Sequence, residues 1–361
     1  MAEYTAAIIG CGRMSRGHAG AYKTVGIPII AAADIAEEGL QRAREHYGSP
    51  ATYTDYREML AEHSPDIVSV VTAELVHCEA VVAAAESGVK AIMCEKPMAM
   101  DLAEGQAMLR ACRENDIVLT ISHQRQYGAQ YVAARELVES GAIGDVRFIE
   151  AYAMASSIHT DGTHTVHMLL SLLGDPKVVR LMAQIDGNSD YAYFGHRCDH
   201  AGNAFLSFDD GRYAHLTWGL SAPGAKERLH PAWDFDTQAY HAFVVHGEYG
   251  RVELDGDLYE VPEGRTCPGG LRLCVGKDTQ EVDYPWPTPE GSIALELRDV
   301  IRSVETGAPH PLSGDNGYAA LEVVMGIYES SRRRGAVEFP VEATDNAFLQ
   351  MCESGVFPSG S

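Results

Sequence analysis

The sequence predicts an α/β protein in which a parallel βαβ domain precedes a region built mostly of strands. Three observations carry this. Short β-rich runs alternate with helical patterns over roughly the first 120 residues, as parallel units require. The first run ends in a glycine turn, Gly10-Cys11-Gly12, that opens a helical pattern. After residue 122 the texture changes to strands, turns and a few helices.

In order, strands are expected at 5–9, 28–33, 67–71, 90–94 and 117–121, with helices at 15–24, 36–47, 55–62, 77–87 and 102–114. Ile67-Val68-Ser69-Val70-Val71 is apolar on nearly every position, as a strand covered on both faces should be. Asp101 followed by Glu104 reads as a capping box. Beyond residue 122 a helix at 129–140, a strand at 146–154 and a helix at 162–173 precede strands at 178–185, 203–208, 213–219, 241–246, 251–254 and 271–284. Asp209-Asp210-Gly211 and Leu254-Asp255-Gly256 read as hairpin-type turns, and 262–270 as a surface loop. Helices at 292–306 and 315–333 close the pattern. The expected division is 1–122, 123–340 and a C-terminal tail at 341–361.

The bulk numbers exclude several classes. With 361 residues the chain is long enough for two cores, and 46% hydrophobic and 22% charged content is ordinary for a globular protein. A net charge of -23 argues against nucleic acid as a partner, since few basic faces survive that excess of carboxylates. No apolar run approaches the ~20 residues that span a bilayer, and Met1-Ala2-Glu3-Tyr4 lacks a signal-peptide pattern. Cysteines at 11, 78, 94, 112, 198, 267, 274 and 352 form no Cys-x-x-Cys pair, which suits reduced thiols in a cytoplasmic protein.

In Gly10-x-Gly12-x-x-Ser15 the first glycine permits a tight turn and the second lets backbone approach a pyrophosphate; Ser15 is a small departure at the third position. The following helix points its N–H groups at phosphate oxygens. Asp34 ends the second strand, where a carboxylate accepts hydrogen bonds from ribose hydroxyls and repels a 2′-phosphate. The expected cofactor is therefore NAD in preference to NADP. Lys96 ends a later apolar strand, in Ile92-Met93-Cys94-Glu95-Lys96-Pro97, beside the place for a nicotinamide ring.

These segments resemble the Gfo/Idh/MocA oxidoreductases. Gly10-Cys11-Gly12-Arg13-Met14 with His18 and Ala21-Tyr22 is similar to the family's opening, Thr72 to His77 to its third-strand loop, and Glu95-Lys96-Pro97 to its most diagnostic tripeptide. Ser122-His123-Gln124-Arg125 resembles its hinge, and Gly162-x-His164 with Leu169-Leu170 and Gly174 its catalytic helix. Leu312-Ser313-Gly314-Asp315-x-Gly317 also matches. The resemblance implies a Rossmann domain plus an α/β domain with a large, mostly antiparallel open sheet that often forms homodimers or homotetramers. It implies hydride transfer between NAD and a sugar, cyclitol or related polyol, a cis Lys96-Pro97 peptide, and cofactor contacts from Gly10, Gly12, Arg13, Met14, Asp34, Thr72, His77, Glu95, Lys96 and Gln124.

Within that resemblance His164 is the candidate acid/base, because an imidazole titrates near neutrality, and Lys96 the group that stabilises the developing alkoxide. The family commonly carries an aspartate where Thr160 stands; Asp161, three residues before His164, could share a helical face with it and replace that carboxylate. His167 stands where an aspartate is frequent and Gln126 where arginine is, and His167 is a candidate substrate contact. His159, His164 and His167 lack the Cys or Glu that would complete a metal set, and no metal is expected. Trp233, in an aromatic stretch from His230 to His241, is a candidate to stack on a sugar face, though the same stretch would equally seal a dimer. Two other functions stay open on the residues alone: glycoside cleavage through transient oxidation by tightly held NAD, and a non-catalytic sensor of dinucleotide and sugar.

Overall fold

A computed structural model describes residues 4–48, 50–153, 157–187, 192–219, 241–256, 270–285 and 291–357. Trp233 and most of the 262–270 loop lie outside the described residues. The chain divides into two compact units, Met1–Tyr127 with Pro289–Tyr318, and Gly128–Thr288 with Ala319–Ser361.

The first unit holds six parallel strands: β1 (Ala6–Ile9), β2 (Ile29–Ala33), β3 (Ala51–Tyr53), β4 (Ile67–Val70), β5 (Ala91–Cys94) and β6 (Val118–Ile121). Their spatial order is β3-β2-β1-β4-β5-β6, which reverses direction between β1 and β4 and leaves a crevice at that switch point. Every residue of β1, β4 and β5 is buried, which is why these strands read as unbroken apolar runs. Strand β3 was not expected; three edge residues, one exposed and two half-buried, are too few to display a period. Helices α1 (Ser15–Val25), α2 (Glu37–His46), α3 (Tyr56–Glu62), α4 (Glu74–Glu86) and α5 (Leu102–Glu114) fill the connections. Asp101 caps α5 by accepting from the Glu104 N–H at 2.9 Å, and Glu104 reaches back to the Met100 N–H at 2.9 Å. The expected box is thus present with its return bond one residue earlier.

A late segment completes this core. Helix α8 (Ser292–Thr306) inserts Ala294, Leu297 and Val300 among Ile8, Tyr22, Ile67 and Met93. Its Glu296, fully buried, accepts from Ser122 Oγ at 2.8 Å and from Thr120 Oγ1 at 3.4 Å.

The second unit is organised by a nine-stranded sheet. Its members are β7 (Val146–Ala153), β8 (Val178–Asp186), β11 (Ala201–Phe208), β12 (Tyr213–Gly219), β13 (His241–Gly247), β14 (Gly250–Leu254), β15 (Leu271–Val275), β16 (Asp278–Glu281) and β17 (Val337–Glu338). The order is β16-β15-β14-β13-β7-β12-β11-β8-β17, and only β7 with β12 is a parallel pair. A separate two-stranded ribbon joins β9 (Ala192–Tyr193) to β10 (His196–Arg197). Helices α6 (Ala129–Glu139), α7 (Gly162–Leu172), α9 (Gly314–Arg333) and α10 (Ala347–Glu353) complete the described elements.

Alternation sorts the sheet into two faces. One buries Ile149, Ala151, Leu206, Leu216, Phe243 and Val245. The other carries Met182 and Phe205, each 60% exposed, with Phe205 stacked on His215 at 4.5 Å. Across β12, β7 and β13 the rings of Tyr213, Phe148 and His246 stack in a row at 5.0 and 4.2 Å.

Three turns test the expectations for this unit. Asp209-Asp210-Gly211 is a hairpin loop: the Phe208 N–H donates to Arg212 O at 3.0 Å, and Gly211 takes φ 86°. Leu254-Asp255-Gly256 is not a tight turn, because Leu254 pairs with Leu271 and the Asp255 N–H donates to Gly270 O. The single strand expected at 271–284 is a hairpin, β15–β16, folded at Gly276 with φ 60°. Residues 347–353 form α10, capped by Asn346, with Phe348 and Met351 buried. No described helix is long and apolar enough to cross a membrane.

Burial pushes the Glu296 carboxyl up to about 7, with His18 and Ser122 pulling the other way. A carboxyl raised by folding binds its proton more tightly in the native state, so stability is full below the unfolded value, near 4.5, and falls as pH rises towards about 7. A shift of this size corresponds to about 3 kcal/mol. Glu296→Gln should flatten that fall, and urea unfolding at pH 5 and pH 8 measures it. Equal pH slopes in the two proteins would remove Glu296 as the cause.

Candidate active site

The glycine turn after β1 is forced by its neighbour. Gly10 takes φ 90°, and a Cβ there would lie 2.5 Å from Val71 O, so only glycine lets the turn lie on the end of β4. Gly12 is exposed, and a Cβ there would meet nothing within 4 Å; the space over this peptide is open to a ligand. Helix α1 starts at Ser15 with no side-chain cap and no acidic residue in its first turn, so its positive end is left for an anion. Arg13 and Met14 stand exposed beside it. Ser15, at the position of the third glycine, turns its hydroxyl inward, donating to Gly12 O at 2.6 Å and lying 2.5 Å from Tyr47 Oη. Burial, with Asp34 adding to it, pushes the Cys11 thiol up to about 12, so the turn carries no thiolate charge against a phosphate.

Asp34 is held in place at the end of β2. Its carboxylate accepts from the Cys11 N–H at 2.7 Å and from the Ala36 N–H at 2.7 Å. A Cβ on Gly39 would lie 2.5 Å from its Cγ, so a glycine in the first turns of α2 makes the room it occupies. Arg42 donates to Cys11 O from the same helix. Next to Asp34, the apolar side chain of Ile35 is 94% exposed. Sequence reading misses Gly39 and Arg42, because their links to Asp34 and to Cys11 O are contacts in space and not a motif.

At the end of β5 the Glu-Lys-Pro tripeptide is braced from below. Lys96-Pro97 is cis. Glu95 is buried and faces inward: its Oε1 lies 3.2 Å from His18 Nε2, and its Oε2 accepts from the Lys96 N–H at 3.2 Å. His18 Nδ1 continues to Ser69 Oγ at 3.0 Å, and Ser69 to Tyr22 Oη at 2.8 Å. Burial pushes the Glu95 carboxyl up, but the His18 hydrogen bond and the charges of His18 and Lys96 outweigh it, leaving it below the usual range. His77 is buried against backbone, with Nδ1 2.8 Å from Pro97 O and Nε2 3.2 Å from Thr72 O; burial holds its pKa down. Glu95 and His77 therefore support the tripeptide in this geometry, and Lys96 is the half-buried member of the turn. Thr72 turns its hydroxyl to Ala73 O at 3.2 Å. Gln124 starts a 3-10 turn, Gln124–Tyr127, and its buried Oε1 has no hydrogen-bond partner among the described residues.

In the second unit, His164 and His167 lie in the first two turns of α7, both buried. The His164 ring is 5.8 Å from that of His241, whose Nδ1 lies 2.6 Å from Thr165 Oγ1. Burial lowers His167 to about 4, so it is neutral at physiological pH. Thr160 is buried, with its N–H directed to Ser157 Oγ at 3.4 Å. Asp161 is the N-cap residue of α7; its carbonyl accepts from the His164 N–H at 3.1 Å, and its carboxylate makes no capping bond. His159 packs edge-on to His196, with centroids 6.4 Å apart. Among the described residues no group of His, Cys, Asp or Glu is arranged to hold a metal ion.

An uncapped helix, an open glycine peptide and a clamped carboxylate at the switch point of a parallel sheet define a dinucleotide-binding domain. Residues 4–123 match the family model described as "Oxidoreductase family, NAD-binding Rossmann fold", and 131–253 match the GFO/IDH/MocA C-terminal domain. The chain belongs to the Gfo/Idh/MocA oxidoreductase family and is NAD-dependent. It is similar to myo-inositol 2-dehydrogenase of Thermotoga maritima, 30% identical with 92% of this chain and 97% of the relative covered. It is also similar to D-apiose dehydrogenase of Paraburkholderia graminis, 25% identical over 93% and 90%. The fold matches that of an oxidoreductase from Agrobacterium radiobacter solved with NAD+, L-tartaric acid and magnesium, at TM-score 0.75 and 20% identity, covering 93% and 98%.

Gly39→Ala should stabilise α2 by up to about 1 kcal/mol through helix propensity while displacing the Asp34 carboxylate. We expect NAD affinity to fall roughly tenfold, about 1.4 kcal/mol, in a fluorescence titration. Unchanged NAD affinity would mean that Asp34 keeps its place without the space Gly39 provides.

Proposed function

We propose that the protein oxidises, reversibly, a secondary alcohol of a sugar, cyclitol or sugar derivative, with Lys96 and His164 as its catalytic residues. The strongest support is Lys96 in a turn braced on both sides, by Glu95–His18 and by His77, at the end of a strand neighbouring the dinucleotide cradle. Relatives that span the chain act on myo-inositol and D-apiose by name, which supports a polyhydroxylated substrate.

Gly10, Gly12, Arg13, Met14 and the α1 terminus would hold the pyrophosphate, Asp34 a ribose diol, and Ile35 the adenine face; bound NAD supplies the hydride acceptor. Thr72 and the orphaned Gln124 Oε1 are suited to hydrogen-bond the cofactor's remaining polar edges. Lys96 donates a hydrogen bond to the substrate oxygen and stabilises the alkoxide that forms as hydride leaves its carbon. His164 accepts the hydroxyl proton and returns it in the reverse direction. His167, neutral at working pH, is suited to hydrogen-bond a neighbouring hydroxyl and not to carry a proton. With Thr160 in place of a carboxylate, Asp161 at the head of the same helix is the nearest acid in sequence to orient His164.

The apolar and aromatic row on the open face of the nine-stranded sheet supports a homodimer or homotetramer formed through that face. Large exposed aromatics of this kind are enriched at such contacts.

Two measurements test these readings. Absorbance at 340 nm with NAD and a panel of inositols, free sugars and glycosides should reveal one polyol class that gives steady NADH. Lys96→Ala and His164→Ala should each lower its rate roughly 10² to 10⁴-fold. Undiminished turnover in either variant would remove that residue from the chemistry. Light scattering should give two or four times the 39.1 kDa chain mass, and Phe205→Glu should reduce it; a monomeric wild type would overturn the assembly.

A further inference from the structure

The segment leading into α7 is anchored to a buried carboxylate outside the cofactor cradle. Asp199 lies between β10 and β11, is fully buried, and collects four donors. Ser157 Oγ donates to its Oδ1 at 2.8 Å and Tyr328 Oη at 2.6 Å. The Ile158 N–H donates to its Oδ2 at 3.1 Å and Trp218 Nε1 at 2.6 Å. Two donors come from the loop before α7, one from β12 and one from α9. Among the described residues no cation shares the cluster: burial raises the carboxyl's pKa and the four donors only partly counter it. A buried carboxylate held by neutral donors alone is costly and fixes geometry in return.

The loop depends on that anchor. Ser157, Ile158, His159 and Thr160 are all buried, so bulk solvent does not reach them and their backbone needs internal partners. Ser157 O accepts from the Gly162 N–H at 3.0 Å, and Ser157 Oγ receives the Thr160 N–H at 3.4 Å. The first turn of α7 therefore hangs from Ser157, and Ser157 from Asp199. Two glycines enforce the fit. A Cβ on Gly162 would lie 2.9 Å from Ser157 O, and one on Gly202 would collide with the Trp218 ring that delivers Nε1.

We propose that Asp199 is the positioning residue of the catalytic helix: its carboxylate sets where the 157–161 loop and the first turn of α7 stand, and through them His164. The role rests on His164 being the acid/base, and the anchoring itself does not.

The test compares Asp199→Ala, Asp199→Asn, Tyr328→Phe and His164→Ala as full-length proteins. Hydrogen exchange is read over peptides covering 157–167, with polyol oxidation and NAD affinity alongside. Asp199→Ala should speed exchange in 157–164 and lower kcat about 10²-fold, the loss that a displacement near 1 Å causes, with NAD affinity unchanged. Asp199→Asn should restore both to within a few-fold. Its carbonyl keeps the Ile158 and Trp218 bonds, and the hydroxyls of Ser157 and Tyr328 turn to accept from its amide. Tyr328→Phe removes one donor and should show a smaller change of the same kind, which keeps the test decisive if Asp199→Ala does not fold. Faster exchange with unchanged kcat would reduce Asp199 to a structural residue, and unchanged exchange would overturn the anchor. Full activity in His164→Ala would sink the acid/base reading instead, while the exchange results would still decide whether Asp199 holds the loop.

Discussion

The close approach of Gly10 to the end of β4 is the contact on which the cofactor-binding half depends. With no Cβ at that point, β1 turns sharply enough for α1 to start over the crevice at the strand reversal. Any side chain there would push the turn off Val71 O and carry the α1 terminus with it. Downstream of that contact, the Cys11 N–H is aimed at Asp34, and Gly12 presents its peptide to open space. The cradle is a chain of consequences from one backbone packing constraint.

Buried carboxylates form the second layer of control. Glu95 holds the Lys96 turn through His18 and the Lys96 N–H, while Asp199 holds the loop ahead of His164 through four neutral donors. The electrostatics of the two differ. Positive neighbours offset the burial of Glu95, so it ends below the usual carboxylate range, whereas Asp199 has none among the described residues and ends above it. Both spend desolvation on rigidity at chain segments that would otherwise be ordinary loops.

Much of the fold was legible because its signals are local. Ile67 to Val71 reads as a doubly covered strand, Asp101 and Glu104 as a cap, and Asp209-Asp210-Gly211 as a hairpin loop, and each needs only its own neighbours. Strand β3 is not legible because three edge residues show no period. The β15–β16 hairpin looks like one strand in the sequence because both arms are β-type runs and Gly276 alone marks the fold between them. The Leu254-Asp255-Gly256 turn failed for a related reason: whether a turn sequence closes a hairpin depends on where the partner strand pairs, here from Leu271.

By itself the sequence determined the parallel first domain, the strand-rich second one, the glycine cradle with its acid, and the family to which Glu95-Lys96-Pro97 points. Those features rest on hydrophobic period, on backbone freedom at glycine and on residues adjacent in the chain. Only the tertiary structure decided that 292–306 returns to complete the first core and that Glu95 and His77 face inward as braces. The same holds for the space Gly39 provides for Asp34 and for the donors from residues 157, 158, 218 and 328 that meet at Asp199. These are contacts between residues distant in sequence, and no period or motif encodes which side chains meet when a chain closes on itself.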